Sequence, residues 1–176
     1  MRYKITNADH KDLPVIYSLF EEAIIFIQKK NYTGWKNYDK QFIQSDIENR
    51  LLFKIIYDTD IAGIFCICLS DDLIWREKEN GDAIYLHRIV TNRKFAGEKL
   101  FKEVLDWATQ FAKRNKLKHI RMDTWAENEK IISYYKSYGF SFIENYTTPD
   151  TDNLPKQHRN LCVALLEKAI ATEGNS

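Results

Sequence analysis

Apolar residues recur at helical spacing from Leu13 through Ile16, Tyr17, Phe20, Ala23, Ile24 and Ile27, which predicts an amphipathic helix of about 18 residues. The same period returns at Leu100, Phe101, Val104, Leu105, Ala108, Phe111 and Ala112, in a helix from about Gly97 to Lys113. Short runs rich in β-branched and aromatic residues predict strands at Arg2–Thr6, Phe53–Tyr57, Ile61–Leu69 and Ala83–Val90. The Asp58-Thr59-Asp60 turn between the second and third of these is a hairpin signal. A polar, aromatic segment, NYTGWKNYDKQF, leads into a helix near Gln41–Arg50. Beyond the long helix, the pattern predicts a strand at His119–Trp125, a helix at Glu129–Tyr138 and a strand at Ser141–Tyr146. A polar loop then runs through Pro155 to a last strand at Asn160–Leu166. This order of elements predicts an α/β domain on a mixed sheet.

Composition narrows the picture. A chain of 176 residues is most simply one domain, here 1–170, followed by a frayed tail over 171–176. The 26 Lys and Arg nearly balance the 25 Asp and Glu, so neither nucleic acid nor an anionic membrane is expected as a partner. The N-terminus lacks an apolar leader core, and runs such as Ala23–Ile27 are too short to span a bilayer. Cys66, Cys68 and Cys162 form no metal-binding spacing and read as buried thiols in a reducing cytoplasm, so the expected location is cytoplasmic and no metal is expected.

Three stretches carry candidate chemistry. In AIYLHRIVT the alternation breaks, because polar His87 and Arg88 are consecutive and are followed by apolar Ile89 and Val90. A β-bulge there would restore burial on both sides and re-aim a side chain; an unbroken strand with Arg88 reaching to an edge is the other reading. In TNRKFAGEKLF a strand, a turn with one glycine and a helix start converge, where backbone N–H groups and the helix dipole favour an anion. Arg93, Lys94 and Lys99 add positive charge, yet the stretch is neither a P-loop nor a dinucleotide fingerprint. In AENEKIISYYKSYGF, the residues Asn128, Ile131, Ile132, Tyr135 and Tyr138 share one helix face and Tyr134 turns away. Asn128 can cap that helix and Gly139 can end it in the left-handed conformation.

Together, the element order, LFKEVLDWA, IRMDTW and NEKIISYYKSYGF resemble the GNAT family of acetyl-CoA-dependent N-acetyltransferases, over about residues 2–166. Asn128, Tyr135, Gly139 and Phe140 fall on the spacing of that family's closing motif. The phosphate loop departs from the family pattern: Ala96, Lys99 and Phe101 stand at its three defined positions, and only the optional Gly97 is kept.

The resemblance implies a mixed, mostly antiparallel sheet of about six or seven strands with helices on both faces, splayed to admit two substrates. It places the pantetheine arm of acetyl-CoA along Ile89, Val90 and Thr91 and the pyrophosphate on Gly97, Glu98, Lys99, Leu100 and Phe101, with Asn128 nearby. It points the Tyr135 hydroxyl at the CoA sulfur and makes His87 the first candidate for the base, ahead of Asp123, Glu127 and the weaker His158. Tyr32 and Trp35, in the segment that shapes the acceptor pocket in this family, are the candidate acceptor contacts, and Asp39 and Asp46 are acids that could attract an amine. The family attacks the thioester directly with the amine, so no covalent intermediate is expected. The expected partners are acetyl-CoA, an amine acceptor and, as a candidate, a second copy of the chain. The altered phosphate loop leaves one alternative, a non-catalytic acyl-CoA sensor or interaction module on the same fold.

Overall fold

The strands expected from alternation all form, and a computed structural model describes residues 3–171. They are β1 (Lys4–Asn7), β2 (Leu52–Tyr57), β3 (Asp60–Cys68), β4 (Ala83–Thr91), β5 (His119–Trp125), β6 (Ser141–Thr147) and β7 (Cys162–Ala169). One sheet joins them in the order β1-β2-β3-β4-β5-β7-β6. Only β4 and β5 run parallel; the other pairs are antiparallel. Residues 172–176 of the expected tail and the first residue of the expected opening strand, Arg2, lie outside the described residues.

Helices cover both faces. α4 (Leu100–Arg114) lays Leu100, Val104, Leu105, Ala108 and Ala112 onto Phe65, Ile67, Ile84 and Leu86. α5 (Glu129–Ser137) joins the same core through Ile132 and Tyr135. On the opposite face, α1 (Leu13–Lys29) and α2 (Lys40–Glu48) bury Ile16, Phe20, Ile43 and Ile47 against Leu52, Ile64, Cys66 and Val90. The two-residue period of β3 sorts its side chains between these cores, with Ile64 and Cys66 on one side and Phe65 and Ile67 on the other.

Beyond shifts of a few residues at element ends, the structure departs from expectation at the start of α4, between β3 and β4, and at Cys162. The long helix starts at Leu100, not Gly97, because Gly97 (φ +88) and Lys99 (φ 51) turn the chain through left-handed conformations first. Between β3 and β4 a four-residue helix, α3 (Asp72–Trp75), forms in a segment too short to show a period. Cys162 is exposed rather than buried, at the first position of β7, while Cys66 is buried and Cys68 partly so.

The break in the β4 pattern is a bulge. Ile64 pairs with Val90 and Cys66 with His87, so Phe65 alone opposes Arg88 and Ile89. Arg88 takes up the extra residue at φ 47. Its guanidinium does not reach an edge but is buried and ion-paired with Asp46 of α2, itself only 8% exposed. Across the bulge, a Cβ on Gly63 would come within 2.9 Å of the Val90 carbonyl oxygen, so the close approach of β3 needs glycine.

Candidate active site

The bulge lies where the sheet opens. β4 and β5 pair from Ala83 with His119 to Leu86 with Met122 and then part, while β4 stays on β3 as far as Thr91 and β5 stays on β7 as far as Trp125. Residues 87–91 therefore have no strand partner on the β5 side. A cavity of about 290 Å³ fills the wedge, with His87–Thr91 along one wall and Met122–Trp125 along the other. Ile131 and Tyr135 of α5 close one end, and Phe26, Ile27 and Trp35 close another.

α5 explains the crowd of phenols. Asn128 accepts from the Ile131 N–H (3.1 Å) as the helix cap, and Gly139 ends the helix at φ +89. Phe101 of α4 sits among the rings of Tyr135 (centroids 4.9 Å apart), Tyr138 (5.0 Å), Tyr134 (5.9 Å) and Phe140 (6.2 Å). Tyr134 remains 40% exposed, whereas Tyr135 reaches the cavity. Burial, with Asp123 nearby, raises the Tyr135 phenol well above its ordinary value, so it stays protonated and can donate.

A buried polar cluster stands opposite. The His87 Nε2 lies 3.2 Å from Asp71 Oδ2, and its Nδ1 lies 3.6 Å from Asp123 Oδ1. Burial alone would lower this imidazole, but Cys68 and Asp71 outweigh it and hold the group well above the ordinary histidine value. Burial pushes the Asp123 carboxyl up to about 6, with His87 pulling the other way. His158, also on the cavity wall, is driven well below its ordinary value by burial and by neighbouring Arg88 and His87, so it is neutral at pH 7.

At the phosphate end, Leu100 and Phe101 begin α4, so their backbone N–H groups have no intrahelical acceptor. The Phe101 side chain, 4% exposed, turns into the core and so cannot crowd a ligand laid on those amides. Gly97 and Lys99 are exposed on the approach, and Glu98 is engaged by the Tyr3 hydroxyl (3.3 Å). Asn128 uses its amide twice, in the cap and toward the Thr33 carbonyl (3.3 Å), outside the cavity wall. Trp35 packs edge-on against Trp125 (5.8 Å) and separates the cavity from an outer one of about 650 Å³. Tyr32, 52% exposed, lines only the outer one, as does Glu127. Asp39 caps α2 and Asp46 neutralises Arg88, so both acids are committed to structure.

Sequence reasoning missed Asp71, Trp125 and the Asp46–Arg88 pair. Charged Arg121 and Asp123 inside the otherwise apolar IRMDTW strand were the available signal for β5; nothing marked Asp71, which lies in an aperiodic loop.

Comparison with known proteins gives the same reading. YesJ of Bacillus subtilis (strain 168), an uncharacterized N-acetyltransferase, is 26% identical over 144 residues, covering 77% of this chain and 80% of YesJ. A GNAT-family acetyltransferase from Listeria monocytogenes superposes with a TM-score of 0.74 at 22% identity, over 95% of this chain and 94% of that one. The yncA protein of Salmonella typhimurium, solved with its cofactor acetyl-CoA, gives 0.66 at 13% identity over 100% and 98%. These two structures share the fold. The sequence model described as the acetyltransferase (GNAT) family matches residues 16–140, from α1 through the splayed strands to the end of the Tyr135 helix, and the chain belongs to that family.

Proposed function

We propose that the protein transfers the acetyl group of acetyl-CoA to an amine held in the wedge between β4 and β5. The observation that carries this reading is the unpaired edge of residues 87–91 facing Asp123 and Tyr135 across one cavity. The backbone of Ile89, Val90 and Thr91 would pair with the pantetheine amides as an added strand, and the amides that open α4, with Gly97 and Lys99 beside them, would take the pyrophosphate. Trp35 and the outer cavity with Tyr32 lie on the acceptor's approach.

The chemistry needs no covalent intermediate. An alkylammonium must shed one proton before nitrogen attacks the thioester carbon. Both nitrogens of His87 face carboxylates, so Asp123 is the better group to hold the ammonium and accept that proton. As the C–N bond forms and the C–S bond breaks, the second nitrogen proton ends on the departing sulfur. A phenol raised by burial is a poor outright acid but a good hydrogen-bond donor, so Tyr135 stabilises the thiolate as it forms.

Purified protein mixed with acetyl-CoA and a panel of amines tests the reading by the free thiol released. Release that depends on one amine supports transfer; saturable acetyl-CoA binding without amine-dependent release would instead make the domain a sensor. Tyr135→Phe should keep acetyl-CoA binding but lose at least about tenfold in turnover, or about 1.4 kcal/mol of transition-state stabilisation. Tyr134→Phe and Tyr138→Phe should stay within a few-fold. Full turnover in Tyr135→Phe, with chemistry rate-limiting, would leave thiolate protonation to water.

A further inference from the structure

Behind the cavity wall lies a second convergence of side chains. β3 ends at Cys68, which pairs across the sheet with Tyr85, and His87 stands two residues farther along β4 on the same face. The chain then turns through Leu69 and Ser70 and brings Asp71 to the same point. Ligand-capable atoms of Cys68, Asp71 and His87 all lie within 4.8 Å of one another. We propose that Cys68, Asp71 and His87 form a binding site for one divalent transition-metal ion, with zinc the best match.

The spacing fits. The His87 Nε2 and Asp71 Oδ2 are 3.2 Å apart, and two ligands each about 2.0 Å from a tetrahedral zinc lie about 3.3 Å apart. Asp71 Oδ2 is buried without a hydrogen bond, on a side chain only 9% exposed, so it keeps lone pairs for a cation, and His87 Nε2 would release its proton on binding the metal. An unsatisfied buried carboxylate oxygen is costly.

Asp71 is also held in place by its backbone. Its N–H donates to Glu79 Oε2 (2.8 Å), and its carbonyl accepts from the Trp75 N–H (2.9 Å). The carboxylate is therefore positioned by groups that take no part in the cluster, as a preformed ligand site requires. On the far side of the imidazole, Nδ1 faces Asp123 Oδ1, which is likewise buried and unpartnered. Metal-bound histidines usually donate their second N–H to a carboxylate, and Asp123 stands in that place.

The donor types choose the ion. A thiolate disfavours magnesium and calcium, whereas sulfur, imidazole and carboxylate together suit zinc. Such an ion would fasten the loop after β3 to the bulged strand and fix the orientation of His87. The site goes beyond acetyl transfer and stands or falls separately from it.

Metal-stripped protein titrated with Co(II), the spectroscopic substitute for Zn(II), tests the site. The expected result is a thiolate-to-cobalt charge-transfer absorption that saturates at one equivalent and is abolished by competing Zn(II). Cys68→Ser should remove the absorption, Asp71→Asn should weaken binding at least tenfold, and Asp123→Asn should weaken it by about 10–100-fold through His87. Cys162→Ser, altering an exposed thiol elsewhere, should change nothing. No thiolate absorption in the wild-type protein, or an absorption lost in Cys162→Ser and kept in Cys68→Ser, would overturn the proposal. The wild-type titration needs no variant to fold. A negative titration alongside intact amine-dependent thiol release would remove the metal site and leave acetyl transfer standing.

Discussion

Asp123→Asn should lower turnover by about 10²–10⁴-fold while leaving acetyl-CoA binding intact. The side chain is 8% exposed, lines the cavity, and keeps Oδ1 without a hydrogen bond. With its carboxyl pushed up to about 6 by burial, Asp123 is mostly ionised at neutral pH yet more basic than a surface carboxylate. Asparagine keeps the volume but can neither balance an ammonium charge nor accept its proton. Thiol release at saturating acetyl-CoA measures the loss, and a thermal-shift titration with acetyl-CoA shows whether the donor still binds. A loss below about threefold would assign the proton to solvent water and remove Asp123 from the chemistry.

Asp46→Ala should destabilise the fold by about 3–5 kcal/mol, the usual cost of leaving one buried charge without its partner. Arg88 has nowhere to go. It sits in the bulge at φ 47 with its side chain 8% exposed, and the adjacent Cys66 thiol offers no charge because burial pushes it up to about 12. Denaturant unfolding of the single variants and of Asp46→Ala with Arg88→Met closes a double-mutant cycle. The double variant should recover much of the single loss, since an apolar side chain in place of the guanidinium removes the uncompensated charge. A single-variant loss under about 1 kcal/mol would mean that water reaches the pair and that the bulge is held by the strand ladder alone.

Much of this arrangement was legible in the chain. The run of β5 gave its observed bounds, and the consecutive polar residues in AIYLHRIVT left a bulge and an unbroken strand both open, of which the structure has the bulge. The face assignment of α5 also holds, with Tyr135 and Tyr138 inward and Tyr134 outward. What was hidden had physical reasons. Periodicity counts apolar positions but is blind to handedness, so the left-handed residues before Leu100 were read as helix. Phe101 departs from the family pattern at a defined position of the phosphate loop, and sequence does not say which way its side chain turns; it turns into the core. Asp71 comes to His87 by a short turn after Cys68, whose Ser70-Asp71-Asp72 composition marks a loop but not where the loop leads. Cys162 lies in an apolar run, and its exposure follows from standing at the strand's very start.

The parting of β4 and β5 has a consequence for how the protein keeps company with other chains. An unpaired strand edge is normally an invitation to aggregate, because any passing strand can extend the sheet. Here the edge of residues 87–91 faces the inside of the molecule, with β5 as the opposite bank and Trp35 and Phe26 overhead. A slot of that shape suits the single slender, amide-bearing chain proposed above; another sheet, with its neighbouring strands and side chains in tow, does not fit it. The backbone groups of this edge that β3 does not use are thus within reach of a small extended ligand and shielded from a second sheet.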